Sequence, residues 1–477
     1  MLTMTNLAEI HQMLPSSQLL NISLEKSRAV SISGISSDTR KIQPGEFFIA
    51  LSGEHFDAHQ FLGEIAKSAA SAAMISNPSQ CPENLAAVCV TDTREGLGQL
   101  AKAWRAKHPI PLALVAGSNG KTTVKEMIAA IFRSAVGEPA TLVTQGNLNN
   151  DIGLPLTLLR LRPSDRLAVI ELGMNHPGET AELAAIAQAN IALINNAQRE
   201  HQEFMASVAA VAQEHSDVLK ALPLNGVAVF PADSEFSSLW KKAAGNRKVI
   251  DFALSAPAAV SGILLGNGHL QINTDNGSIE VQLKTLGLHN ASNALAAAAV
   301  ALAANLSLEN IQNGLEAFSP VSGRMQSSQL NAQCTLIDDS YNANPDSVRA
   351  AIDALKQTRG ASWLVLGDMG EVGEQGPAFH HEVGAYAAEQ GVDQLFAIGE
   401  QCQLAVQGFN ETKQKLHLDS GAQHFAEIEA LNASLASSLK DKNLAVSEKM
   451  HILIKGSRFM KMERVVQAMQ EGANTCS

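Results

Sequence analysis

Gly117-Ser118-Asn119-Gly120-Lys121-Thr122-Thr123 stands between an apolar run and a helix-forming segment. Glycines let successive backbone N–H groups converge on an anion, a helix N-terminus adds its positive end, and a lysine supplies a point charge. That is the chemistry of a phosphate-binding loop, and a hydroxyl directly after the lysine suits magnesium. The spacing departs from the common G-x-x-x-x-G-K-[ST]: Val115 stands where the first glycine belongs, and the extra glycine is Gly117. The competing reading is a glycine turn carrying a surface lysine. Strand, paired glycines, G-K-T-T and helix in succession favour phosphate.

Other chemistry-bearing residues follow apolar runs further along. Glu171 ends one in VIELGMNHPGE; a buried carboxylate there is costly unless paired or metal-bound, so it reads as a magnesium ligand or as a helix cap. His201 follows another in NNAQREHQEF and reads as a metal ligand or as a structural histidine. Arg324 in SGRMQ, Asp339 in DDSYNANPDS, and Lys455 and Arg458 in IKGSRFMKME complete the set. A basic residue at a domain hinge suits a phosphate clamped on closure; singly, each reads equally as a surface or boundary residue. There is no H-E-x-x-H and no Cys/His cluster, so zinc is not indicated.

The background fits a globular enzyme. The chain has 477 residues, 45% hydrophobic and 17% charged, with a formal net charge of -12. That length suggests roughly three domains at ~150 residues each, and the acidic balance without a basic stripe argues against a nucleic-acid partner. Five scattered cysteines without C-x-x-C point to a reducing, cytoplasmic compartment. No signal peptide is expected at the N-terminus. The longest apolar run, 294–304, is well short of the ~20 residues of a membrane span and reads as a buried helix, so no membrane insertion is expected.

The elements that must position these residues alternate. Apolar strands are expected at 47–51, 88–91, 112–116, 167–172, 191–195, 227–230, 335–339, 363–367, 395–399 and 451–455, with helices at 64–74 and 124–133 among those between them. Such alternation argues for an α/β chain with parallel sheets covered on both faces, whose ligands sit at the carboxyl ends of the strands. His108-Pro109-Ile110-Pro111 and Ser319-Pro320-Val321-Ser322-Gly323 punctuate the chain. They divide it into domains at 1–108, 109–320 and 321–477.

Together these segments resemble the Mur ligases, the ATP-dependent enzymes that build the peptidoglycan precursor. That family's loop reads G-x-x-G-K-[ST]-[ST], matched by Gly117, Gly120, Lys121, Thr122 and Thr123. The resemblance implies a UDP-sugar domain, a central ATPase domain with a phosphate loop, and a Rossmann-like C-terminal domain. It assigns Glu171 and His201, beside Thr122, to magnesium. It assigns Asn290 and Asn293 of His289-Asn290-Ala291-Ser292-Asn293 to adenine, and Arg324 and Asp339 to ATP. DSYNANPDS, LGDMGEVGE and KGSRFMKME are most similar to the branch that adds a dipeptide, which implies UDP-MurNAc-tripeptide as carboxylate, D-Ala-D-Ala as amine, and a monomer. SSDTRKIQPGEFFIALSGEHFDAH resembles the sugar-binding domain, with Ser36, Asp38 and Arg40 as candidate contacts; Asn149, Asn150, Asn344, Lys455 and Arg458 are further substrate candidates.

Two departures stand out. Ala116 replaces a threonine that commonly starts the loop. Many members carry, about fourteen residues after the histidine, a lysine that is carbamylated to bridge a second magnesium. Here that place is His215, preceded by Gln213 and Glu214, with no lysine until Lys220. Three alternatives stay open: the diamino-acid-adding branch, whose D-N-P-R motif is here Ala343-Asn344-Pro345-Asp346; a folylpolyglutamate synthase-like ligase, which should lack the sugar domain; and a non-ligase ATP-binding regulator.

Overall fold

A computed structural model describes residues 3–53, 56–266, 268–419, 421–442 and 448–474; Cys476 lies outside them. Leu112–Ala116, Leu167–Glu171 and Ile191–Ile194 are buried along their whole length. A run of apolar residues without alternation is what a strand covered on both faces requires. The three sit side by side in a six-stranded, all-parallel sheet ordered Thr141–Val143, Leu167–Glu171, Leu112–Ala116, Ile191–Ile194, Val227–Val229 and Lys248–Val249. Register decides what the sheet presents. Val115 pairs with Glu171 and Ala116 with Ile194, so the phosphate loop, Glu171 and the segment after Ile194 emerge on one sheet edge.

The C-terminal unit repeats the design. Its sheet runs Gln326–Gln329, Cys334–Asp339, Met450–Lys455, Ala361–Gly367, Gln394–Ile398 and Ala422–Phe425, parallel apart from the first, edge strand. Asp339 pairs with Lys455 at the carboxyl end. The N-terminal unit holds a five-stranded mixed sheet. Helix Thr93–Ala106 joins it to the central unit: Leu97, Leu100, Ala101 and Trp104 belong to one continuous apolar cluster with Leu112, Leu114 and Leu158. Trp104 donates its indole N–H to the carbonyl of Leu161 at 3.1 Å.

Two sequence expectations are corrected. The alanine-rich stretch 64–74 is not one helix: helix Leu62–Ile65 ends early, and Ala72–Ile75 is a fully buried strand between Glu46–Ile49 and Ala87–Cys89. Alanine's helix propensity is a weak prior, and burial between two sheet neighbours overrides it. A four-stranded sheet, Phe252–Ala253, Val260–Gly266, His269–Thr274 and Gly277–Gln282, was not anticipated. Its three longer strands carry Gly, Asn and other polar residues and are buried on one face at most, which weakens the apolar signal. It covers helix Leu288–Ala303, whose alanines from Ala291 to Ala301 are buried. A Cβ on Gly262 would lie 2.9 Å from Leu295, so glycine there lets sheet and helix meet closely.

Candidate active site

The phosphate loop is shaped by its two glycines. Gly117 has φ +134° and Gly120 φ +77°, a region that L side chains avoid. A Cβ on Gly120 would stand 2.8 Å from Asn293 Oδ1 and 2.9 Å from Asn195 Nδ2. Gly120 then caps helix Lys121–Val136, whose free N–H groups and dipole face the cleft. Lys121 Nζ folds back over the loop, donating to the carbonyls of Gly117 at 2.5 Å and Ser118 at 3.1 Å. The ammonium is thereby held at the mouth of an anion-binding nest.

The loop opens into a cleft of about 650 Å³ lined by residues of the central and C-terminal units. From the central unit come Ser118 to Thr123, Asn149, Asn150, Glu171, His201, Asn290 and Asn293; from the C-terminal unit come Arg324, Asp339, Asn344 and Lys455. Glu171 is 2% exposed; Asn149 Nδ2 donates to its Oε1 at 2.8 Å, while Oε2 is buried without a hydrogen-bond partner. A buried carboxylate oxygen left unpaired is costly and marks a place for a cation. Thr122 Oγ1 lies on the same side and accepts from Arg324 Nη2 at 3.2 Å. The arginine plane rests on the Tyr341 ring, 4.3 Å from its centroid. Magnesium, an oxygen-seeking ion, therefore finds a fitting donor set here.

Asparagines knit the cleft beside the loop. Asn195 donates to the carbonyl of Asn119 and to Asn293 Oδ1, both at 2.9 Å, and Asn293 donates to Asn290 at 3.2 Å. Asn344 caps helix Pro345–Lys356 and donates to Asn119 Oδ1 at 2.8 Å across the cleft. Asn150 Oδ1 accepts from the main chain of Gly153 at 2.9 Å.

Several predicted contacts sit elsewhere or are already engaged. Lys455 is buried and paired with Asp339, whose other oxygen accepts from Met325 N at 3.1 Å. Arg458 is exposed and pairs with Glu463 at 3.0 Å, outside the cleft lining. Asp38 and Arg40 pair with each other at 2.9 Å in the N-terminal unit, and Ser36 lies beside them; none lines this cleft.

The residues that sequence reasoning passed over surround His201. Glu200, 6% exposed, accepts from Ser118 Oγ at 2.7 Å, from His215 Nε2 at 2.9 Å and from Lys121 Nζ at 3.3 Å. Burial pushes its pKa up, but Lys121, His215 and His201 outweigh that and hold it below the usual carboxylate range. His201 itself takes φ +47°. Its Nδ1 is 3.0 Å from Glu371 Oε2 of the C-terminal unit, an ion-pair distance without hydrogen-bond alignment. The adjacent Arg199 reaches Asp346 and Glu382. The sequence had marked His215 at the place of the family's lysine, and Glu200 had no signal beyond its position beside His201. A separate trio, Asp368, His380 and Cys402, is close enough for a metal. There His380 Nδ1 donates to the carbonyl of Gly376 at 2.7 Å and its Nε2 accepts from Met369 N at 2.9 Å, so both nitrogens are used in bracing the fold.

Residues 115–301 match the Mur ligase middle domain, and residues 323–458 match the Mur ligase, glutamate ligase domain. The chain is 39% identical over 455 residues to the UDP-N-acetylmuramoyl-tripeptide–D-alanyl-D-alanine ligase of Escherichia coli (strain K12), covering 94% of this chain and 95% of that one. It is 38% identical to the Haemophilus influenzae protein of that name, covering 95% and 97%. A crystal structure of MurF from Acinetobacter baumannii superposes with a TM-score of 0.88 at 32% identity, covering 98% of this chain and 99% of that one.

Proposed function

The chain belongs to the Mur ligase family, and from that premise we propose that it joins D-alanyl-D-alanine to UDP-N-acetylmuramoyl-tripeptide at the cost of ATP, forming the pentapeptide precursor of peptidoglycan. The observation that carries this reading is the placement of Lys121, Thr122 and Glu171 on one sheet edge, opposite Arg324 of the C-terminal unit, in a chain similar along almost its whole length to ligases of that name.

The residues divide the work. A carboxylate acylates poorly; transfer of the ATP γ-phosphoryl to the tripeptide carboxylate gives an acyl phosphate and ADP. The dipeptide amine attacks the acyl carbon, the C–O bond breaks, phosphate leaves and the amine gives up its proton. The loop N–H groups and Lys121 hold the phosphates in line, and Arg324 closes on them from the other unit. Asn290 and Asn293 bind the adenine end. Magnesium would be held by Thr122 and Glu171, with His201 lining the same cleft, and it would supply neutralisation of the migrating phosphoryl. Closure of the cleft keeps water from the acyl phosphate. The N-terminal unit, with Ser36, Asp38 and Arg40, receives the UDP-sugar. The four described cysteines are all unpaired, which supports a reducing, cytoplasmic setting; among the described residues no helix is long and apolar enough to cross a membrane.

One observation weighs against the diamino-acid-adding alternative. Asp346 stands where that branch carries its arginine, and its carboxylate is taken up by Arg199. Phosphate release in the presence of ATP, UDP-MurNAc-tripeptide and D-Ala-D-Ala tests the proposal. Release should need all three. Equal release without the dipeptide, or with a diamino acid and UDP-MurNAc-dipeptide, overturns it.

A further inference from the structure

A carboxylate deep inside a phosphate pocket needs a reason. Glu200 repels the anion that the loop is built to hold, and the one ammonium beside it, Lys121, must also serve the phosphates. Its two oxygens have different surroundings. Oε1 is fixed by Ser118 Oγ at 2.7 Å and His215 Nε2 at 2.9 Å. Oε2 faces Lys121 at 3.3 Å and lies 4.0 Å from His201 Nε2. Octahedral magnesium, at about 2.1 Å per bond, spans ligand atoms about 3 to 4 Å apart. Glu371 Oε2 lies 3.0 Å from Nδ1 of His201, so Nε2 is the imidazole nitrogen that faces Glu200. Charge points the same way. Around the phosphate end, Lys121 and Arg324 face Glu171, Glu200 and Glu371, so the acids outnumber the bases before any phosphate arrives.

We propose that Glu200, oriented by His215 and Ser118, is a protein ligand of a second divalent cation, shared with His201 and the terminal phosphates and distinct from the ion on Thr122 and Glu171. His215 acts as a positioning residue through Glu200. The carboxylate is thus encoded in the chain, and a ligand formed from carbon dioxide on a lysine is not needed: position 215 is histidine and the next lysine is Lys220.

This rests on the ATP reading above and is tested apart from turnover. Mn²⁺ is titrated against the full chain with the non-hydrolysable analogue AMP-PCP, counting bound ions by electron paramagnetic resonance. Two ions per chain are expected in the wild type. E200Q should weaken one of them at least tenfold and leave the other unchanged, with H215A giving a smaller loss; stripping carbon dioxide should change neither. Full retention of both ions by E200Q overturns the proposal, as does carbon dioxide dependence of the second. Absence of any nucleotide-dependent Mn²⁺ would instead overturn the ATP reading with it. Should E200Q not fold, wild-type crystals with Mn²⁺ and AMP-PCP decide. An anomalous peak in contact with the Glu200 carboxylate supports the assignment, and a Glu200 that touches no ion refutes it.

Discussion

Arg199 Nη2 lies 2.6 Å from Asp346 Oδ1, and the Arg199 main-chain N–H donates to the other oxygen of the same carboxylate at 2.8 Å. Arg199 belongs to the central unit and Asp346 to the first turn of helix Pro345–Lys356 in the C-terminal unit. The same guanidinium reaches Glu382 at 2.8 and 3.1 Å and lies over the Phe379 ring, 5.0 Å from its centroid. Planar, multiply bonded arginine is suited to such a clamp. This latch sits within two residues of His201, so holding the two units together also holds Glu371 against His201.

Arg199→Ala should therefore loosen closure rather than unfold the chain. It leaves Asp346 and Glu382 facing each other without their shared cation, and hydrogen bonds to charged groups are worth roughly 1.5–3 kcal/mol. Small-angle scattering with bound nucleotide should show a larger radius of gyration. KM for the dipeptide should rise about tenfold, the equivalent of ~1.4 kcal/mol. An unchanged scattering curve together with an unchanged KM would show that the latch carries no weight.

The latch has a defined pH range. The hydrogen bond from Arg199 holds Glu382 below its ordinary value of 4.5, burial opposes this, and Arg349 assists. A carboxylate depressed in the folded state contributes stability that is fully present above its unfolded value and is lost as pH falls through the folded one. Wild type and Glu382→Gln should then differ in melting temperature by a constant amount at neutral pH. The gap should narrow only below about pH 4.5. A gap that closes between pH 6 and 8 would implicate a histidine instead.

Lys121→Ala should remove ligation while sparing the fold. The ammonium contacts only loop carbonyls and Glu200, and it lies at the start of a helix whose core residues Val124, Ile128 and Phe132 are untouched. Loss of one preorganised charge at a developing anion costs on the order of 10²–10³-fold in rate. The expected result is a turnover decrease of at least that size with a near-native circular dichroism spectrum. Wild-type turnover would remove the loop from the mechanism.

What could be read in the sequence was whatever depends on local order. The buried strands were visible because Leu112–Ala116 and Leu167–Glu171 carry unbroken apolar runs, and the loop because Gly117 and Gly120 bracket it within four residues of Lys121. Asn290 and Asn293 were singled out only through the family resemblance of His289-Asn290-Ala291-Ser292-Asn293. The pairings were not. Glu200 meets Ser118 across 82 positions of sequence and Arg199 meets Asp346 across 147, and no local pattern encodes either. Lys455 was read as a substrate candidate, and its pairing with Asp339, 116 residues away, left no local signal. Strand Ala72–Ile75 was misread because its alanines report close packing, which propensity alone does not distinguish from helix.

Two glycine substitutions separate the loop's shape from general stability. Gly120 sits at φ +77° with Asn293 and Asn195 within 3 Å of an added Cβ. Alanine there carries backbone strain of roughly 1–3 kcal/mol and displaces Asn293 and Asn195, which pack against the loop. Gly63, inside helix Leu62–Ile65, has nothing within 4 Å of an added Cβ, so alanine there should be neutral or stabilise by about 0.4–1 kcal/mol. AMP-PCP affinity should fall more than tenfold in Gly120→Ala and stay at the wild-type level in Gly63→Ala. Calorimetric titration of both, alongside their melting curves, reads the two effects separately. Wild-type nucleotide affinity in Gly120→Ala would mean that this turn is not what shapes the phosphate site.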